Sequence, residues 1–403
     1  MKIFMAHNYY QQPGGEDRSF AAEADVLERY GHTVHRYTAH NDKINAMGKV
    51  QVARATIWNS DTYRELRTLF REGQFDVAHF QNTFPLISPA AYYAAQAEGV
   101  PVVQSLRNYR LMCLNALFFR DGHVCEDCLG KAVPYPGIVH SCYRDSRLQS
   151  AGVASMLVFH RAMRTYSKQI DRYIALTHFV KEKFIEAGMD AGKIIVKPNF
   201  LDTDPGIRPG QGDYLVFVAR MTPEKGVWTV LKAWQSLPNA IPLKVVGDGP
   251  ELDAMREFVA TNNLNSVELL GHRKGAETQD IIKHARALIL PSEWYETFGR
   301  VAMEAFACGV PVIASRIGAV AEVVENGQTG LHFMPGDVAD LAEKVQRMWE
   351  DEALTARMGD EARRVFETRY TAERNYDMLM DVYNQAIQHQ QVRQQTRGKR
   401  VHA

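Results

Sequence analysis

Short strand-like runs, most of them largely apolar, recur along the whole chain, each separated from the next by a longer amphipathic or polar segment. Residues 2–7, 33–37, 75–80, 100–106, 172–176 and 194–196 make a first series. Residues 214–218, 243–246, 267–270, 287–290, 312–314 and 330–333 make a second. Runs of this length fit strands covered on both faces. The intervening segments have helical period; residues 19–30, for example, place Phe20, Ala24 and Leu27 on one face. Strands that alternate with helices imply a parallel sheet, because parallel neighbours need a long crossover between them. Residues 198–212, with three prolines and three glycines, separate the two series. The expected fold is therefore α/β, with two Rossmann-like doubly wound domains over residues 1–200 and 201–370. A chain of 403 residues is long enough for two such cores.

Composition narrows the function classes. Lys plus Arg and Asp plus Glu balance at 47 each, so no global field attracts nucleic acid. No apolar run reaches the length of a membrane span. The first residues, MKIFMAHN, enter a strand-like run directly and lack the layout of a signal peptide, so a cytoplasmic location is expected. Residues 107–172 hold ten Lys and Arg against five Asp and Glu, a basic excess that suits peripheral contact with an anionic membrane as well as a plain solvated face. The polar, basic stretch 389–403 is expected to be disordered. Oligomeric state leaves no mark in the sequence.

Several loops at strand ends carry residues with a chemical rationale. Residues 291–330 contain Glu296 and Glu304, with Thr297, Phe298, Gly299 and Arg300 between them. A helix starting near Gly299 offers free N–H groups and the positive end of its dipole to a phosphate. A carboxylate beside such a cradle is better aimed at hydroxyls, so the stretch points to a nucleotide bearing a sugar. Arg220 and Lys225 follow the strand at 214–218 and suit a diphosphate. Gly247, Asp248 and Gly249 form a tight turn after 243–246, and His272 and Arg273 follow 267–270, where backbone groups could read a nucleobase. Gly14 and Gly15 follow the first strand, the edge at which open α/β sheets bind ligands. His79, like His7, ends a strand; a cleft role and a structural one are both compatible with that position.

The pattern Glu296-Thr297-Phe298-Gly299, four residues, then Glu304-Ala305-Phe306-Ala307-Cys308-Gly309-Val310-Pro311-Val312-Ile313-Ala314 resembles the signature of the retaining glycosyltransferases of family 4. Arg220 with Lys225-Gly226, and Gly247-Asp248-Gly249-Pro250, resemble its upstream motifs; the Gly14-Gly15 loop, His79 and the strand before Arg107 are looser matches in the N-terminal half. The resemblance implies two Rossmann-like domains facing across a cleft, with the donor nucleotide in the second domain. It also implies a C-terminal helix, residues 371–388, crossing back to the first. Arg220 and Lys225 would neutralise the diphosphate, Glu304 would accept from the ribose hydroxyls, and Glu296 would contact the transferred sugar. The backbone of residues 298–300 would hold phosphate, and the Gly14-Gly15 loop would approach the donor phosphate. The partners implied are a nucleotide-diphosphate sugar, carrying UDP or GDP, and a glycan or lipid-linked acceptor in surface polysaccharide or glycolipid assembly. No cofactor is required for transfer. Arg107 stands where the family usually offers a His, and a guanidinium cannot exchange a proton at neutral pH. The same two-domain plan also serves sugar-nucleotide epimerases, phosphorylases and non-catalytic nucleotide-sugar sensors.

Cys113, Cys125, Cys128 and Cys142 fall in a loop-rich insertion at residues 107–146. Their number and one Cys-x2-Cys spacing match a four-thiolate structural zinc site; ordinary thiols in a loop are the competing reading. Cys308, after Glu304, reads as a small core residue.

Overall fold

The computed structural model describes residues 1–11, 14–238 and 241–401, with side chains through residue 396. The chain divides into two compact units. The first comprises residues up to Ala116, then Glu126–Lys197, then the residues from Asn375 onward; the second comprises Leu117–Cys125 and Pro198–Arg374.

The first unit runs β1 (Lys2–Tyr9), α1 (Gly15–Arg29), β2 (Thr33–His40), α2 (Lys49–Ile57), α3 (Ser60–Gly73), β3 (Val77–Asn82), α4 (Ala90–Ala97) and β4 (Val102–Leu106). After a small hairpin of β5 (Phe119–Arg120) and β6 (His123–Val124), which belongs to the second unit, come α5 (Tyr135–Val139), α6 (Arg147–Ala162), α7 (Thr165–Lys168), β7 (Arg172–Ala175), α8 (His178–Glu186) and β8 (Ile194–Val196). The sheet order is β2-β1-β3-β4-β7-β8, parallel throughout. Alternate residues of β1 feed opposite cores. Ile3 and Met5 pack with Phe20, Ala24 and Leu27 of α1, while Phe4 meets Phe70 edge-on at 4.7 Å on the other face.

The second unit runs β9 (Leu215–Val218), α9 (Val227–Ser236), β10 (Leu243–Val246), α10 (Leu252–Thr261), β11 (Val267–Gly271), α11 (Gly275–Lys283) and β12 (Ala287–Leu290). It continues with α12 (Arg300–Ala307), β13 (Val312–Ser315), α13 (Gly318–Val323), β14 (Gly330–Phe333), α14 (Val338–Glu350) and α15 (Glu352–Arg369). Its sheet order, β11-β10-β9-β12-β13-β14, is the doubly wound order in which the winding reverses between the first and fourth strands, here β9 and β12. Phe217, Leu231, Trp234, Val245, Ile289 and Phe333 share its buried core.

The last helix, α16 (Ala372–Val401), returns to the first unit, burying Leu379, Val382, Tyr383 and Ala386 against the face of β1 that carries Ile3 and Met5. Each such large apolar side chain contributes about 1.5–3 kcal/mol when fully buried. The expected disordered tail is corrected here. Helix continues through Val401, because His389 bonds Asp171 at 2.8 Å and Arg393 bonds Gln96 at 3.0 Å, holding its start on the first unit; residues 402 and 403 lie outside the described set. A second correction concerns the insertion at 107–146. Its central residues, Leu117–Cys125, group with the second unit through the hairpin and contacts such as Phe118 against Tyr295.

Candidate functional site

Open doubly wound sheets bind ligands where the winding reverses, beyond the carboxyl ends of the strands. In the second unit that point lies between β9 and β12, and the two loops there are stitched together. Glu293 N–H donates to Glu224 O at 2.9 Å, and Lys225 Nζ donates to Glu296 Oε1 at 2.7 Å. Gly226 has φ +70°, and a Cβ there would lie 2.0 Å from Pro291 O, so the close approach of the loops requires glycine. Lys225 also lies over the Trp294 ring at 5.0 Å. Glu296 is buried and accepts from Ser292 Oγ as well. Burial opposes its ionisation, but Lys225 and the hydrogen bond from Ser292 outweigh that and hold its carboxyl below the usual range.

The neighbouring loops join the same edge. Ala219 N–H donates to Val246 O, Met221 N–H to Asp248 O, and Gly247 N–H to Gly271 O, at 3.1, 3.0 and 2.9 Å. A Cβ on Gly247 would fall 1.8 Å from Ala219 O, so this glycine is dictated by packing of the loop. Asp248, His272, Arg273 and Arg220 are exposed, and Arg220 forms no ion pair among the described residues. Gly299, at φ +80°, caps α12, whose second turn carries Glu304 as the sequence indicates. Arg300 Nε donates to Glu304 Oε1 at 3.1 Å, so the ribose candidate already has a cation beside it. Phe298 is buried against Tyr370, leaving its backbone as the group able to face a ligand, and Thr297 adjoins it half-buried. Cys308 is buried and hydrogen-bonded by Gln279 Nε2, a core residue as expected.

In the first unit, α1 begins at Gly15, earlier than the periodicity alone indicates, with Gly14 as its N-cap. Asp17 holds that loop, its Oδ2 accepting from Gly14 N–H and its Oδ1 bonding His7 Nε2, each at 2.7 Å. A Cβ on Gly14 would meet nothing within 4 Å, so the fold does not itself demand glycine there. Glu16, not singled out in the sequence, has a buried carboxylate oxygen with no hydrogen-bond partner. Burial and the charge of Asp17 push its carboxyl up to about 7 against the opposing pull of Arg107.

His79 lies inside the first unit, and Arg107 stands at the wall of a concavity there. His79 is fully buried with both ring nitrogens engaged, by Tyr383 OH and Ser105 Oγ at 2.9 Å each, and burial lowers its pKa to about 4. It is neutral and held in place by these two bonds. Arg107 is also buried, donating to Gln81 Oε1 at 2.8 Å and pairing with Glu23 Oε1 at 3.1 Å. Glu23 further accepts from Lys197 Nζ at 2.8 Å. The signal for this network was a Glu on the inward face of α1, between Phe20 and Leu27. Beyond it, Gln81, Asn82, Gln104, Asn108, Arg110 and Tyr166 line a concavity at the carboxyl ends of β3 and β4, where Arg110 Nε and Tyr166 OH are buried without hydrogen bonds.

Among the described residues no group of three or more His, Cys, Asp or Glu is placed to hold a metal ion. Cys125 belongs with the hairpin of the second unit while Cys113, Cys128 and Cys142 belong to the first, and Cys113 Sγ donates to Asn115 Oδ1 at 2.9 Å.

A pair of doubly wound parallel units with cation and carboxylate loops at one reversal point defines a two-domain glycosyltransferase of the GT-B type. Comparison with known proteins agrees. Residues 14–199 match the glycosyl transferase 4-like domain and residues 203–365 match glycosyl transferases group 1, and the chain belongs to this glycosyltransferase family. An uncharacterized glycosyltransferase of Methanocaldococcus jannaschii is 29% identical over 72% of this chain and 77% of its own length. A glycogen synthase of Mycobacterium tuberculosis is 37% identical over 37% of each chain. The fold matches Anabaena HepE in complex with UDP, with a TM-score of 0.70 at 19% identity, covering 95% of this chain and all of that one. No helix among the described residues is long and apolar enough to cross a membrane.

Proposed function

We propose that the protein is a retaining hexosyltransferase that moves a sugar from a UDP- or GDP-sugar to a glycan or lipid-linked acceptor, working in the cytoplasm in surface polysaccharide or glycolipid assembly. The observation that carries the reading is the Lys225–Glu296 pair at the β9/β12 reversal point, 2.7 Å apart. It sets a cation for the diphosphate beside a carboxylate for the sugar. The solved HepE complexes hold UDP and UDP-glucose, which favours a nucleotide sugar as donor here.

In the proposed reaction the bond from the anomeric carbon to the diphosphate oxygen breaks, and its electron pair goes to that oxygen. Arg220, Lys225 and the N–H groups at the start of α12 stabilise the charge that develops there. These groups supply the positive charge that a metal would otherwise provide at the diphosphate. Glu296 stands near the oxocarbenium-like centre. The acceptor hydroxyl enters from the face the diphosphate leaves, forms the new bond, and passes its proton to the departing phosphate oxygen, so configuration is retained. Glu304, with Arg300 beside it, takes the ribose hydroxyls. The concavity lined by Asn82, Gln104, Asn108, Arg110 and Tyr166 is assigned to the acceptor, for which the unpartnered Arg110 Nε and Tyr166 OH are available.

A thermal-shift screen of UDP, GDP, ADP and their sugars tests the donor. The right nucleotide raises the unfolding midpoint by mass action, adding about 2.7 kcal/mol of stability at a hundredfold excess over its Kd. Arg220→Ala is expected to lower donor turnover by the equivalent of about 2–4 kcal/mol. If no nucleotide shifts the midpoint, or if Arg220→Ala and Lys225→Ala both leave turnover unchanged, the assignment is wrong. Nuclear magnetic resonance of the product anomer decides retention.

A further inference from the structure

The described residues expose eleven large apolar side chains, and six of them lie between Val133 and Met163: Val133, Tyr135, Val139, Leu148, Phe159 and Met163. The concentration is structural as well as sequential. Helix α6 buries one face, with Val153, Ala154 and Leu157 packed against Phe84 and Leu114, and α5 leans on the same cluster through Ile138. The opposite face of α6 should then be polar, as on an ordinary surface helix. Instead Leu148, Gly152, Ser155, Phe159 and Met163 follow one another at spacings of four, three, four and four residues, a stripe with no charge. Leu148 is 72%, Met163 51% and Phe159 42% exposed. The one hydroxyl in the stripe, on Ser155, is already bonded to Ala151 O at 2.8 Å. Tyr135 and Val139, one turn apart on α5, are exposed in the same way.

Charge identifies the partner. Residues 131–168 carry six Lys and Arg and a single carboxylate, Asp145. Lys131, Arg144, Arg147, Arg164 and Lys168 are exposed, bracketing both ends of the apolar stripe. A second copy of this chain would set like charges against each other. A surface of anionic headgroups over acyl chains satisfies both features, taking the apolar stripe into the boundary and the cations at the phosphates. Helix α6 spans 16 residues, about 24 Å, and lies in the plane of such a surface rather than crossing it. We propose that the α5–α6 face of the first unit docks the protein on an anionic membrane. The inference is independent of the donor site, since none of these residues belongs to it.

Co-sedimentation with lipid vesicles tests the proposal, comparing pure phosphatidylcholine with vesicles in which about a third of the lipid is phosphatidylglycerol. The full chain is expected to pellet with the anionic vesicles and to be released by salt. The double variant Leu148→Ser, Phe159→Ser should lose about tenfold in partitioning, and Arg144→Glu with Arg147→Glu should abolish the preference for anionic lipid. All four side chains are exposed, so the unfolding midpoint should not move, which separates lost docking from lost folding. A chain truncated after Thr396 should bind as the full chain does, since it keeps the patch. Absence of binding to anionic vesicles overturns the proposal, as does binding that survives both variants or vanishes with the truncation. So does a concentration-dependent self-association that the Leu148, Phe159 variant removes.

Discussion

Lys225 and Glu296 are worth more together than their separate roles suggest, because Glu296 is buried and its ionisation depends on its neighbours. Its depressed pKa adds stability above the ordinary carboxylate range, which is lost as pH falls through the folded value. Lys225→Met removes the main opposing charge, so burial then pushes the carboxyl up and the acid limb of donor turnover moves to higher pH. Turnover should fall about a hundredfold, the equivalent of about 2.7 kcal/mol. Adding Glu296→Gln should recover stability in a thermal melt without recovering turnover; recovery of both would mean that the carboxylate has no part at the sugar. Glu16 runs the other way. Its folded pKa of about 7 lies above the unfolded carboxylate value, so the stability linked to it is fully present below about pH 4.3 and lost as pH rises through 7. Glu16→Gln should therefore match the parent melting temperature at about pH 4 and exceed it at about pH 8. An equal difference at both pH values would show that the buried oxygen is not the cause.

At the scale of elements, the strands were legible and the polar network between them was not. Residues 287–290 are apolar on both faces, and 243–246 and 330–333 are largely apolar apart from Lys244 and His332; the structure places β12, β10 and β14 at those residues. The site loops were legible for the same reason, since Arg220, Lys225 and Glu296 follow strands that announce themselves. The start of α1 was hidden because Gly14 and Gly15 lack the side-chain oxygen of the usual cap. The tail was misread because composition reports solubility, while His389 and Gln390 are held by tertiary contact that local polarity cannot show. His79 and Arg107 show in one dimension only that each stands at a strand end. Only three-dimensional pairing reveals that Glu23, Lys197, Arg107 and Gln81 form one buried set joining α1, β3, β8 and the β4 loop, and that Lys197 reaches Asn375 at the start of α16. Lys197 and Arg107 together depress the Glu23 carboxyl to about 2 despite its burial. Glu23→Ala leaves two buried cations facing each other and should cost about 3–5 kcal/mol in chemical denaturation. A loss below about 1 kcal/mol, the range of exposed pairs, would show that the network is solvated.

At the scale of the molecule, chain order and spatial order diverge, and that divergence has a consequence for folding. The second unit owns a complete six-stranded sheet and a core drawn almost wholly from residues 215–358. The first unit does not complete itself from residues 1–197, because α16 supplies Leu379, Val382, Tyr383 and Ala386 to its core. The same helix supplies Tyr383 OH to His79 and Asn375 to Lys197. Without α16 an apolar sheet face is bared, and a buried lysine and histidine lose partners, each loss costing about 1–3 kcal/mol on top of the missing burial. Those losses together exceed the 5–15 kcal/mol that typically separates a folded domain from its unfolded chain only when the margin is low, but the bared face also invites aggregation. A fragment of residues 198–374 is therefore expected to unfold cooperatively and to keep the nucleotide-dependent thermal shift of the full chain. A fragment of residues 1–197 is expected to be aggregated or to lack a cooperative melt, and to gain one when a peptide of residues 372–401 is supplied. Circular dichroism melts of the two fragments, with and without the peptide and the nucleotide, decide the matter. A cooperative melt of residues 1–197 alone would show that α16 is dispensable to the first core, and loss of the nucleotide shift in residues 198–374 would show that the donor site needs more than the β9–β14 sheet and its loops.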